Sequence, residues 1–259
     1  FGQYIIRYWI TSKATKEVQM MSENTSILRA ENINMSFGMV VAADDVNVVV
    51  EPGEFVGIVG ANGSGKTTFL NIITGYLTPD SGRILVMNED ATGLAPRMVT
   101  KLGVARSFQV PQLYTSMTVL EGMLLSLSAA ANESSNFWKP IYRDTWKSEA
   151  LEILERFGLA EYANRAVNEL PQGGRKLLDI ALSFALNPKL LLMDEPTSGV
   201  SIEDKFQVMD TLVKVLKEGD ITTIFVEHDM EVIQRYGERM LVFDTGRVMA
   251  DGEPSQVLS

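Results

Sequence analysis

The sequence predicts an α/β fold: a mainly parallel sheet covered by helices and interrupted by a mainly helical insert. Three observations carry this. Short apolar runs, Phe55–Val59 and Leu190–Met193, read as strands buried on both faces. Strand and helix signals alternate before and after the middle of the chain, the pattern of a helix-covered parallel sheet. Between about residues 110 and 186 the apolar spacing turns helical.

The elements follow in order. Ile27–Met35 and Asp45–Val50 are rich in Val and Ile and bounded by Gly, Asp and Pro, which marks strands. Glu51-Pro52-Gly53 is a turn ahead of the buried strand at 55–59. A glycine-rich loop follows, then a helix over about 65–74. Residues 77–83 contain Pro79, Asp80, Ser81 and Gly82 and read as turn. Within the insert, helices are expected over 118–130, 144–157 and 175–186. Alternation then resumes with a strand at 190–193, a helix at 203–217, a strand at 222–226 and a helix at 230–235. Strands at 240–243 and 248–250 close the fold. Residues 1–20 differ in character. They read as a peripheral or artefactual extension of one domain spanning 21–259, with a membrane-surface anchor built on Tyr4, Tyr8 and Trp9 as the alternative.

Composition excludes several classes. A length of 259 residues suits one large domain, or a domain with a subdomain. The formal charge of -10 is the wrong sign for wrapping nucleic acid, so no nucleic-acid partner is expected. With no cysteine and one histidine, His228, the chain has no disulfides, thiol chemistry, Cys-ligated zinc or multi-histidine metal site. No apolar run approaches the roughly 18–20 residues that span a bilayer, and no signal-peptide pattern is evident. A cytoplasmic location is therefore expected.

Gly60-Ala-Asn62-Gly63-Ser64-Gly65-Lys66-Thr67 matches the phosphate-loop pattern G-x-x-x-x-G-K-[ST], and Thr68 continues it. Glycines let successive backbone N–H groups curl around an anion, and the following helix offers its positive end. Lys66 would reach the outer phosphates, and the Thr67 hydroxyl would ligate Mg²⁺. Chance would produce the pattern about once in a hundred chains of this length. Here a strand precedes it and a helix follows. Downstream, Leu190-Leu-Leu-Met-Asp194-Glu195 is an apolar strand ending in two carboxylates. At a sheet's carboxyl edge Asp194 would hold Mg²⁺ through water. Glu195 would polarise an attacking water.

This pair of motifs around a helical insert resembles the ATPase subunit of ATP-binding cassette transporters, over about residues 27–252. The resemblance implies a P-loop NTPase core, an antiparallel β subdomain and an inserted helical subdomain. It also implies ATP and Mg²⁺ as cofactors. Ser107-Phe108-Gln109 resembles the family's glutamine loop, whose amide touches Mg²⁺ and the attacking water. Ile224-Phe-Val-Glu227-His228 resembles the strand ending in the switch histidine, which contacts the γ phosphate. Phe37 sits where the family stacks an aromatic residue on adenine.

One motif departs. The family signature Leu-Ser-Gly-Gly-Gln, which caps the nucleotide of a partner subunit, is here Leu170-Pro171-Gln172-Gly173-Gly174. Pro171 suits the start of a helix but removes a hydroxyl donor to a charged oxygen, worth about 1.5–3 kcal/mol. The segment Ser198-Gly199-Val200-Ser201 also lacks the family's usual aspartate.

The resemblance is strongest to the branched-chain amino acid uptake type, through Gly103–Gln109 with Met117–Glu121, the long segment between Ala129 and Glu149, and Val226–Met230. It implies a second cassette subunit, a heterodimer being favoured over a homodimer. It also implies transmembrane permease subunits that hold the chain at the cytoplasmic face, and indirectly a solute-binding protein. Alternatives are the cassette of an amide or urea importer, a lipopolysaccharide-type exporter, a non-transport ATPase, or a nucleotide-dependent scaffold.

Overall fold

The computed structural model describes residues 26–107, 116–131 and 143–259. The expectations placed on residues 1–20 and on Phe108 and Gln109 lie outside them.

Among the described residues two sheets are present. β1 (Leu28–Phe37), β2 (Val40–Val50), β4 (Ser81–Val86) and β5 (Glu89–Asp90) form an antiparallel sheet in the order β2-β1-β4-β5. The second sheet runs β10-β9-β3-β8-β7-β6. In it β3 (Phe55–Gly60), β6 (Val104–Ser107), β7 (Leu190–Asp194), β8 (Thr222–Val226) and β9 (Arg239–Asp244) are parallel, and β10 (Arg247–Gly252) is an antiparallel edge. The α-helices among the described residues are α1 (Lys66–Ile73), α2 (Pro96–Lys101), α3 (Val119–Ala130), α4 (Asp144–Arg156), α5 (Gln172–Phe184), α6 (Ile202–Glu218), α7 (Met230–Tyr236) and α8 (Pro254–Val257).

Every residue of β7 and β8 is buried, which is why β7 reads as an apolar run up to Asp194 and β8 as two threonines followed by Ile224-Phe-Val. Successive side chains point to opposite faces. Leu190 and Leu192 join a core shared with α1 and the antiparallel sheet. Leu191 and Met193 join a second core shared with the inserted helices. The insert is pinned at its start by Thr118, whose hydroxyl accepts from the Glu121 amide while the Glu121 carboxylate accepts from the Thr118 amide. Such reciprocal capping contributes on the order of 1 kcal/mol.

The structure corrects three boundaries. Residues 81–83 belong to β4 rather than to a turn. Gly82 looks like a turn residue, but β4 passes so close to β1 that a Cβ there would lie 2.3 Å from the Asn32 carbonyl oxygen. β2 begins at Val40 instead of Asp45, making a long hairpin with β1. The helix expected over 175–186 begins at Gln172, because Pro171 sets the entry and Gly173 and Gly174 are tolerated in the first turn.

Candidate nucleotide site

The site forms at the carboxyl edge of the parallel strands, where open α/β sheets bind ligands. β3 delivers the chain into the glycine loop. Gly60, Gly63 and Gly65 have φ of 153°, 79° and 106°. Space enforces the choice as well: a Cβ on Gly60 would meet the Phe243 carbonyl oxygen at 2.2 Å, and one on Gly65 the Ala42 carbonyl oxygen at 2.4 Å. The loop is thus wedged between the ends of β9 and β2. α1 starts at Lys66 without a side-chain cap, so its first amides are left for an anion. Ser64 Oγ is buried with no hydrogen-bond partner, a polar atom aimed into the same cradle. Lys66 is 6% exposed, and its ammonium donates to the carbonyls of Gly60 and Ala61 at 2.8 and 2.9 Å. Burial pulls the Lys66 ammonium below the ordinary lysine range, and Glu195 and Asp194 oppose that shift. Thr67 is exposed on the first turn of α1.

β7 lies two strands from β3, across β8, and ends in Asp194, which is 6% exposed. Glu195 leaves the strand with φ of 50° and donates its amide to the Val226 carbonyl at 2.9 Å. From there its carboxylate lies 3.0 Å from His228 Nε2. The two residues predicted as base and switch, 33 positions apart in sequence, are therefore in contact.

Three further residues of the site were given no role by the sequence motifs. Arg106 on β6 donates to Asp194 Oδ2 at 2.8 Å and to Asn71 Oδ1 on α1 at 2.6 Å. In the sequence it appears only as a charge within the Gly103–Gln109 segment, with nothing to show its partner. Glu227 is buried, and its Oε1 accepts from the amide and hydroxyl of Thr197 at 2.9 and 2.7 Å. Burial pushes the Glu227 carboxyl above the usual range, while the Thr197 and His228 donors pull it back. Lys176, on the buried face of α5, donates to the Glu195 carbonyl at 3.1 Å. Its ammonium is also held below the ordinary range by burial, against Asp179, Glu227, Glu195 and Asp194.

The signature segment opens the helix that carries Lys176. Leu170 is buried, and Pro171 occupies the N-cap of α5 with no capping side chain. Arg175 folds back to donate to the carbonyls of Leu170 and Asn168 at 3.0 and 2.6 Å. The residue predicted to meet adenine, Phe37, is 50% exposed beside the bare tip formed by Met39 and Val40, so it is not a core phenylalanine.

Away from the site, a groove of about 760 Å³ runs between α2 and the ends of α3 and α5, lined by Arg97, Lys101, Ala130 and Asn187 among others. No described helix is long and apolar enough to cross a membrane.

A phosphate loop and an acidic strand end on one edge of a parallel sheet, with a helical insert between them in sequence, define a nucleotide-binding ATPase cassette. The chain belongs to the ABC transporter family, whose model matches residues 43–198. It is an ATP-binding, ATP-hydrolysing subunit of that family. It is 32% identical over 238 residues to the high-affinity branched-chain amino acid transport ATP-binding protein LivG of Escherichia coli K12, covering 89% of this chain and 93% of that one. A solved ATP-binding cassette of an ABC transporter is 33% identical with a TM-score of 0.81, covering 91% of this chain and 94% of that one. A dimeric cassette in a post-hydrolysis state, bound to ADP and Pi, is 28% identical with a TM-score of 0.75, covering 88% of this chain and 98% of that one.

Proposed function

We propose that this subunit powers membrane import of branched-chain or related amino acids, with Glu195 as general base. The observation that carries the catalytic half is the 3.0 Å contact between Glu195 and His228 at the edge that also holds the glycine loop. Backbone amides of Gly63 to Thr68 and the Lys66 ammonium bind the phosphates. Phe37 stacks on adenine. Glu195 takes the proton of the attacking water, and His228 holds both that carboxylate and the γ phosphate.

Thr67 and Asp194 present the hard oxygen donors that Mg²⁺ prefers, and with Gln109 they would hold it. When bound, the ion neutralises charge on the transferred phosphoryl group. The remaining work belongs to the chain's own residues: orienting the phosphates, excluding misplaced water and moving one proton.

Similarity to LivG supports the amino-acid reading, and the dimeric relative supports a second cassette subunit. The groove beside α2 suits a permease segment, which would bring the subunit to the cytoplasmic face of the membrane. A neighbouring solute-binding protein completes the assembly. The departure at Pro171 favours a heterodimer, whose other subunit carries the usual serine. The test is Glu195→Gln in the assembled transporter. It should retain ATP, trap the dimer closed by gel filtration, and nearly abolish both turnover and uptake of labelled leucine. Parental hydrolysis by this variant removes Glu195 as base. Parental hydrolysis of ATP by the unsubstituted assembly without leucine uptake removes the substrate.

A further inference from the structure

Lys176 belongs to none of the motifs that define the nucleotide site. The residue is 4% exposed, so its terminal nitrogen lies inside the protein. Burying such a group is unfavourable unless it is hydrogen-bonded, so its target is informative. One such target is the main-chain carbonyl of Glu195, at 3.1 Å.

The backbone it meets is unusual. Glu195 has φ of 50° and precedes Pro196, which narrows its choices further. A non-glycine residue stays in that region only when its surroundings over-determine it. Three hydrogen bonds do so here. The Glu195 amide donates to Val226, and the Glu195 carbonyl accepts from the Ser198 amide at 3.0 Å and from Lys176. Of these, Lys176 alone comes from α5.

Gln172 reinforces the arrangement one turn earlier. Its side chain lies over Gly199, so tightly that a Cβ at 199 would be 2.2 Å from its Nε2. Residues four apart share one helix face. The first turns of α5 thus grip the loop after β7 at both ends, Gln172 on Gly199 and Lys176 on Glu195.

We propose that Lys176 is a positioning residue for Glu195: it fastens the main chain of the base to the signature helix, so that the helix end facing a partner's nucleotide and the carboxylate serving this chain's nucleotide move as one body. The proposal rests on the reading of Glu195 as base.

The test is a double-mutant cycle in the assembled transporter. The variants are Lys176→Met, Lys176→Gln, Glu195→Gln, and Glu195→Gln combined with Lys176→Met. Each is read by single-turnover hydrolysis, affinity for a fluorescent ATP analogue, and thermal midpoint. Lys176→Met should lower the hydrolysis rate by about tenfold to a hundredfold, the effect of a misplaced base, with nucleotide affinity within about twofold. Lys176→Gln keeps a donor without the charge and should recover most of the rate. If Lys176→Met does not fold, Lys176→Gln alone decides the matter. In the Glu195→Gln background, Lys176→Met should cause no further loss. Equal losses in both backgrounds, or a parental rate for Lys176→Met while Glu195→Gln is inactive, overturn the positioning role alone. A Lys176→Gln variant that folds and is inactive also overturns it. A parental rate for Glu195→Gln overturns the base and this proposal together.

Discussion

Arg106 and Asp194 form an ion pair of 2.8 Å between the ends of adjacent parallel strands, with side chains only 6% and 8% exposed. Because Arg106 also holds Asn71, one guanidinium joins β7 to the helix that follows the glycine loop. Removing one member of a buried pair leaves the other charged and unpaired, a loss of about 3–5 kcal/mol. Arg106→Met should therefore destabilise the subunit by about 3 kcal/mol in urea unfolding. Adding Asp194→Asn should restore part of that loss, since the stranded charge is gone. If the double variant is less stable than Arg106→Met by the full cost of Asp194→Asn alone, the two residues are not coupled.

Pro171 sets a second expectation. The N-terminus of α5 offers amides and a helix dipole but no hydroxyl. Without one charged hydrogen bond, the pocket that this segment completes should be about tenfold to a hundredfold weaker than the pocket built on Lys66. Pro171→Ser should give a modest gain in ATPase rate of the assembled transporter, while Lys66→Ala should remove nearly all of it. Two equivalent pockets would instead show no change with Pro171→Ser and half the activity with Lys66→Ala.

Glu227 gives a pH signature. Its folded-state pKa lies above the ordinary 4.5, chiefly through burial. The folded chain then binds a proton that the unfolded chain releases first, so stability falls as pH rises from 4.5 through the raised value. Below 4.5 both states are protonated and the penalty vanishes. Glu227→Gln, which still accepts from Thr197, removes this titration. Plotting the stability of the parent minus that of Glu227→Gln against pH should give a curve that descends above about pH 4.5 and then levels. A flat difference would mean that Glu227 ionises normally in the fold.

Much of the fold was legible because it rests on local signals. The glycine loop needs its residue types for backbone reasons, and the strand before it is an unbroken apolar run. β7 declares itself by the apolar run Leu190–Met193, and β8 by Ile224-Phe-Val after two threonines. β4 and β6 stayed hidden for the opposite reason. Gly82 is dictated by the neighbouring strand, and Arg106 interrupts a short strand with a charge whose partner lies 88 positions away. The same holds for the site. As candidates, Lys66, Asp194 and Glu195 were readable from spacing, and His228 from its place after Ile224-Phe-Val. Lys176 and Glu227 were not, because their roles exist only once α5 and β8 have been brought against the loop after β7.

The buried charges around that loop have a consequence at long range. Lys66, Arg106 and Lys176 stand among the carboxyl groups of Asp179, Asp194, Glu195 and Glu227, so the cations of the site are already faced by acidic groups of the chain itself. The chain as a whole carries -10. An approaching nucleotide therefore feels no attractive far field and, in dilute buffer, a mild repulsive one. Capture depends on contact with the amides of the glycine loop rather than on electrostatic guidance, and added salt should leave the encounter rate unchanged or raise it.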